Sequence, residues 1–174
     1  MRYMMNKRIV KEIRIETPTS QQAKKIPILL KKHFSEQLAD FWKFGLETGF
    51  RTEEILNLKF SQFFYEQSYG EPRRLFCEIE SRRGHISIYG RKLSSSAEEI
   101  FHKIKHKHPK SEFLFQSYRS RNVSNKEPKP LSRQAISRAF KEVGEILGIK
   151  LTPAAMRQLA LKRIGVDVKT NTVG

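Results

Sequence analysis

Cysteine is all but missing: Cys77 is the only one among 174 residues. That excludes an internal disulfide and any zinc site built from several thiolates. Acid is scarce as well, with 18 Asp and Glu set against 34 Lys and Arg, for a formal net charge of +16. No run of apolar residues is long enough to span a bilayer. The basic start, Met1-Arg2-Tyr3-Met4-Met5-Asn6-Lys7-Arg8, is not followed by the apolar core of a signal peptide. A cytoplasmic protein without a membrane partner is expected, nucleoid-associated if the source is a bacterium. What is present argues for a folded chain. Hydrophobic residues make up 38%, including twelve Phe and one Trp, which is too apolar for a disordered basic tail and suits one domain with a real core.

A charge excess this large costs self-repulsion in the compact state and points to a polyanionic partner. Nucleic acid suits it best, because each neutralised phosphate releases condensed counterions. A merely soluble basic surface is the plain alternative. An anionic membrane surface would call for a strongly amphipathic basic helix, and none stands out.

Read along the chain, residues 1–20 form a basic N-terminal arm ending in Thr17-Pro18-Thr19-Ser20, and residues 21–174 form the domain proper. Residues 21–33 carry helical hints that Pro27 interrupts. Ser35 can cap a helix whose Leu38, Phe41, Trp42, Gly45 and Leu46 share a face, and Gly49 stops it. Thr52 can cap the next helix, with Glu53 and Glu54 in its first turn and Ile55, Leu56 and Leu58 on its buried side. Arg51 therefore sits in a tight elbow between two helices. Leu75, Cys77 and Ile79 then alternate with Phe76, Glu78 and Glu80 as in a strand. Arg82-Arg83-Gly84 makes a turn, and Ile86 and Ile88 continue in a second strand. A capping box at Ser96-Ala97-Glu98-Glu99 opens a helix buried through Ile100 and Ile104. Glu112-Phe113-Leu114-Phe115 is a short apolar run, and 117–130 is a polar loop. Ser132 can cap a helix carrying Ile136, Phe140, Val143 and Leu147, which Gly148 ends. Thr152-Pro153 is a cap followed by proline at the first helical position, opening a helix over about 153–164. The fold class is α+β, mostly α-helical with a small antiparallel sheet.

Two segments then read together: Thr48-Gly49-Phe50-Arg51-Thr52-Glu53-Glu54-Ile55 and Leu151-Thr152-Pro153-Ala154-Ala155-Met156-Arg157. They resemble two signature boxes of the tyrosine recombinase (phage integrase) family. The first is a Thr-Gly-Leu-Arg type elbow with Glu three residues after the Arg, matched by Arg51 and Glu54. The second is Thr-Pro-His-x-x-Arg, matched by Thr152, Pro153 and Arg157, with Ala154 at the His position. Ile164-Gly165-Val166-Asp167 resembles the family's turn after that helix, and the similarity runs from about residue 20 to the end. It implies a tyrosine-recombinase catalytic-domain-like fold, double-stranded DNA as partner, and no cofactor or metal. It also implies that Arg51 and Arg157 clamp the nonbridging oxygens of a phosphate. Arginine suits that task, since its planar fork donates paired hydrogen bonds and stays charged. Taken singly, Arg51 could equally pair with Glu54 or Glu47, and Arg157 could be a solvated surface residue; their joint occurrence in matching boxes favours phosphate contact.

The rest of the family's catalytic set is incomplete. At or near the place of its hairpin lysine stands Arg82, followed by Arg83; arginine keeps the charge but hardly releases a proton. Lys92 is a nearby lysine past the strand. Ala154 can neither transfer a proton nor hydrogen-bond to phosphate through its side chain. All five tyrosines, Tyr3, Tyr65, Tyr69, Tyr89 and Tyr118, precede Arg157, so none takes the nucleophile's place in chain order. The expectation is a DNA-binding protein of this family that does not cleave DNA alone, regulating recombination, integration or transcription on a mobile element. The alternative is a site-specific recombinase whose nucleophilic Tyr lies in sequence outside this chain. Truncation would account for the absent Tyr but not for Ala154 or the Arg82-Arg83 pair. An RNA-binding protein is a third reading, against which stands the lack of any RNA-module motif. A family's upstream DNA-clamping domain is also missing, which predicts weaker binding. Recombinase subunits are the expected protein partners, and a monomer is expected in isolation.

Further DNA contacts are expected at Arg83, Lys92, Arg119, Arg121, Arg133, Gln134 and Arg138, with plain solvation as the alternative for each. His102, His106 and His108 lie among lysines without a carboxylate or thiolate third ligand, so a solvated basic helix face is read there rather than a metal site. Phe41, Trp42, Phe60, Phe63 and Phe64 are read as core.

Overall fold

The computed structural model describes residues 16–81, 87–118 and 127–165. Among them the order is α1 (Ser20–His33), α2 (Glu36–Thr48), α3 (Thr52–Asn57), β1 (Phe63–Glu66), β2 (Arg74–Ser81), β3 (Ser87–Lys92), α4 (Ser95–Lys107), α5 (Arg133–Leu147) and α6 (Pro153–Ile164). This is the expected mostly helical architecture with a small sheet.

Helix α2 is the organising element, packing against α1, α4 and α6. Its sequence explains why. Leu38, Phe41, Trp42, Phe44 and Leu46 are all buried, so apolar residues wrap most of its circumference, as in a helix enclosed by others. Phe41 meets Phe115 and Phe140 edge-on, with ring centroids 5.1 and 6.4 Å apart, and Trp42 meets Phe140 in the same manner. Edge-to-face pairing places the positive ring edge on a neighbour's negative face and fixes the angles of the helices that carry the rings.

The sheet is antiparallel in the order β1-β2-β3. Leu75, Cys77 and Ile79 turn inward as the alternation predicts. Burial pushes the Cys77 thiol up to about 12, which leaves it inert as a nucleophile. Strand β1 was not expected: Phe60 and Phe63 are half-buried and pack on the core, while Phe64 is 37% exposed and stacks on Phe76. The aromatic run Phe63-Phe64-Tyr65 carries strand propensity, whereas the sequence reading places Phe63 and Phe64 in the core without assigning a strand.

Several boundaries also shift. Helix α1 runs unbroken through Pro27; its cap is Thr19, paired reciprocally with Gln22, so the end of the expected arm already belongs to the helix. The α3 cap position is Arg51, not Thr52, because the Glu54 carboxylate accepts the Arg51 backbone N–H at 2.6 Å. Helix α4 is capped by Ser94, two residues ahead of Ser96; its hydroxyl accepts the Ala97 N–H. The caps Ser35, Ser132 and Thr152 and the stops Gly49 and Gly148 stand where the sequence puts them.

Candidate functional site

The elbow is built by local hydrogen bonding. At the end of α2 the Thr48 hydroxyl donates to the Phe44 carbonyl at 2.8 Å and accepts the Phe50 N–H at 3.4 Å. Gly49 then takes a left-handed φ of 65°, a conformation that costs glycine nothing, and reverses the chain. Phe50 plunges into the core against Phe44. Arg51 emerges on the surface as the first residue of the next turn.

The second box is brought to this elbow by α6. The Thr152 hydroxyl accepts the Ala155 N–H at 3.1 Å and Pro153 occupies the first helical position. Ala155, Met156 and Ala160 bury one face. Met156 lies on Gly45 of α2 so closely that any side chain at 45 would overlap its thioether. That close approach sets Arg157 beside the end of α2, where its Nε donates to the Gly49 carbonyl at 3.2 Å. Residues 108 apart in sequence are thereby tied together, a side chain of the second box on a backbone carbonyl of the first.

Both arginines face one open cleft of about 620 Å³, lined also by Glu16, Thr52, Glu53, Arg133, Ser137, Lys150, Thr152, Pro153 and Ala154. Ala154 is exposed in its wall, so the position matched to the family's His faces the same space as both arginines. Arg133 lies across the cleft with its guanidinium 3.0 Å from the Glu53 carboxylate. Four basic side chains (Arg51, Arg133, Lys150 and Arg157) thus meet two carboxylates in one concavity. A larger cleft of about 770 Å³ opens between α1, α2, α4 and α6. It contains neither Arg51 nor Arg157, and its buried Asp40 is already bound by Lys103 at 2.5 Å.

The other expected contacts separate. Arg133 joins the cleft. Lys92 is exposed on the outer strand β3 opposite Phe76, and Gln134 and Arg138 are exposed on α5; none of these lines the cleft. Arg138 is engaged with Glu142 at 2.9 Å. Arg82, Arg83, Arg119 and Arg121 lie outside the described residues, as do Val166 and Asp167. The simple ion pairs considered for Arg51 are not what Glu54 and Glu47 make: Glu54 takes the Arg51 backbone N–H, and Glu47 accepts the Ser94 hydroxyl at 2.8 Å.

Lys150, Ser137, Glu53 and Glu16 were not singled out as site residues. Two of them carried a signal. Lys150 stands two residues before the Thr152 cap, and Ser137 lies one helical turn after Arg133, on the same face of α5. Arg91 was also missed; it lies over the Phe50 ring at 5.3 Å from its centroid, on the strand face it shares with its cross-strand partner Cys77.

One histidine of α4, His102, has partners of its own. His102 Nε2 is 2.6 Å from the Tyr65 hydroxyl, which also donates to Glu98 at 3.1 Å. Burial and the Glu98 hydrogen bond raise the pKa of Tyr65. Among the described residues, no group of three or more His, Cys, Asp or Glu side chains could hold a metal ion, and no helix is long and apolar enough to cross a membrane.

No curated protein matches the chain. Solved structures do. The lambda integrase catalytic core superposes with a TM-score of 0.62 at 18% identity, covering 87% of this chain and 86% of that one. Lambda integrase bound to DNA gives 0.64 at 20% identity over 88% of this chain and 53% of that one, and XerA recombinase gives 0.59 at 17% over 86% and 49%. The chain spans about half the length of a lambda integrase that was solved as a dimer on a core site. At these identities the likeness speaks to the fold alone. The sequence profile of the phage integrase family matches residues 17–170. That span takes in both arginine boxes and every described helix and strand, and on it the chain belongs to the phage integrase family.

Proposed function

We propose that the cleft is a phosphate clamp for double-stranded DNA, with Arg51 and Arg157 as its two principal donors. The observation that carries this reading is the tie between the Arg157 guanidinium and the Gly49 carbonyl. It spends one N–H of Arg157 on fixing the side chain beside the Arg51 elbow and leaves the terminal nitrogens for a ligand. A guanidinium held in place loses less entropy on binding an oxyanion than a free one. The helix dipole and the open amide of Ala154 at the start of α6 add to the attraction for an anion. Arg133 and Lys150 extend the positive surface along which a duplex backbone would run. The expected contacts at Lys92, Gln134 and Arg138 lie beyond the cleft, and contacts there would position the backbone rather than hold the clamped phosphate. Recombinase subunits are the protein partners this reading favours.

The clamp supplies charge without proton transfer. Two arginines stabilise the charge of a five-coordinate phosphorus, but Ala154 offers no acid or base beside them. The reading is therefore a DNA-binding member of the family that does not cut DNA by itself and acts on recombination, integration or transcription of a mobile element. A second reading, a recombinase whose nucleophilic tyrosine lies in sequence outside this chain, is favoured by one fact: the chain spans only about half of some integrases it matches.

A nicked suicide duplex separates cleavage from binding. The account expects a noncovalent complex and no protein–DNA adduct resistant to denaturant. An adduct formed by this chain would overturn the noncatalytic reading.

A further inference from the structure

The cleft that the clamp reading assigns to phosphate also holds a carboxylate on one of its arginines. Glu53 stands two residues after Arg51 in the first turn of α3, lines the cleft, and accepts from Arg133 of α5 at 3.0 Å. The pair bridges α3 and α5, elements that also lie next to each other in the fold. Both side chains are more than half exposed, 68% for Arg133 and 52% for Glu53. An exposed pair of this kind adds little to stability, so its geometry is free to change when a stronger anion arrives. A carboxylate and a phosphate present the same feature to a guanidinium, two oxygens in one plane.

We infer that Glu53 is an internal competitor of the DNA phosphate: it occupies Arg133 in the free protein, and binding transfers that arginine from the carboxylate to the duplex backbone. This rests on the clamp reading and adds a regulatory element to it. Glu53 withholds that donor until the ligand is in place. A free phosphate ion or an isolated nucleotide brings less charge than a duplex and displaces the carboxylate less readily, so Glu53 also selects for the polymer.

Binding of a labelled duplex, measured by fluorescence anisotropy with the full chain, tests this through substitutions at four positions. Glu53→Gln keeps shape and hydrogen-bonding capacity while removing the charge, and tightens binding about fivefold at moderate salt. Glu145→Gln removes the same charge from an exposed pair with Lys141 on α5 outside the cleft, and changes affinity by less than half as much on a logarithmic scale. In an Arg133→Ala background most of the gain from Glu53→Gln disappears. Equal gains for Glu53→Gln and Glu145→Gln, no gain at all, or a gain that survives intact without Arg133 would each overturn the inference. Arg51→Ala reports on the clamp itself: unchanged binding there overturns the phosphate reading, whereas weakened binding with no effect of Glu53→Gln overturns the competitor alone.

Discussion

Single residues carry the chemistry here, and the sequence exposed them unevenly. Arg51 and Arg157 were legible because each sits in a motif whose other members have structural jobs: Thr48 and Gly49 build the elbow, Thr152 and Pro153 start α6. Lys150 and Glu53 were harder to see as site residues, since nothing in a linear chain says that α3 and α5 face each other across the same space. Surface charge shows the same contrast. Glu36, at the start of α2, gathers Lys31, Lys107 and Lys103 from two other helices. Hydrogen bonds from Lys31 and Lys107, with the Lys103 charge, lower its pKa from 4.5 to about 2. Because the folded state favours the ionised form, its contribution is complete above about pH 4.5 and is lost as pH falls toward 2. Solvent screening limits the size, so Glu36→Gln is expected to cost no more than about 1 kcal/mol at neutral pH. Chemical denaturation across pH checks this: the difference between wild type and variant should vanish near pH 2.

Helices were read well wherever a cap and a glycine stop bracketed a 3.6-residue repeat, as in α2 and α5, and α6 was legible from its Thr152-Pro153 start. The failures have physical causes. Pro27 lies in the second turn of α1, where proline removes one backbone donor but the flanking Ile26 and Leu30 are fully buried, and their burial outweighs the local penalty. Strand β1 is only four residues long, too short for alternation to declare itself, and it exists because β2 offers it an edge. At the turn joining α5 to α6, packing rather than motif decides the path. The Ile149 N–H returns to the Gly144 carbonyl at 2.9 Å, and a Cβ on Gly144 would stand 2.6 Å from the Ile149 carbonyl oxygen and 2.9 Å from the Leu151 nitrogen and Cβ. Backbone cannot yield as a side-chain tip can. Gly144→Ala is therefore expected to destabilise by about 1–3 kcal/mol and to loosen α6, whose first two turns present Ala154 and Arg157. A lowered denaturation midpoint together with weakened DNA binding would bear this out; an unchanged midpoint would show that the turn is more compliant than its contacts imply.

At the scale of the whole molecule, the net charge of +16 and the cleft argue for one partner from different directions. Charge alone could not say where a polyanion binds, and it could not distinguish a diffuse basic surface from a clamp. The structure brings two boxes separated by more than a hundred residues to one concavity, a juxtaposition that α2 enforces by packing its Gly45 under Met156 and its Gly49 carbonyl on Arg157. The measurement that tests the central claim most directly is the salt dependence of duplex binding for the wild type and for Arg51→Ala/Arg157→Ala. If the two arginines contact phosphates, the double variant binds at least tenfold more weakly, and its log–log salt slope is shallower by about 2, one counterion for each lost contact. An affinity and slope equal to those of the wild type would mean that DNA is held by the general basic surface and that the cleft is not its site.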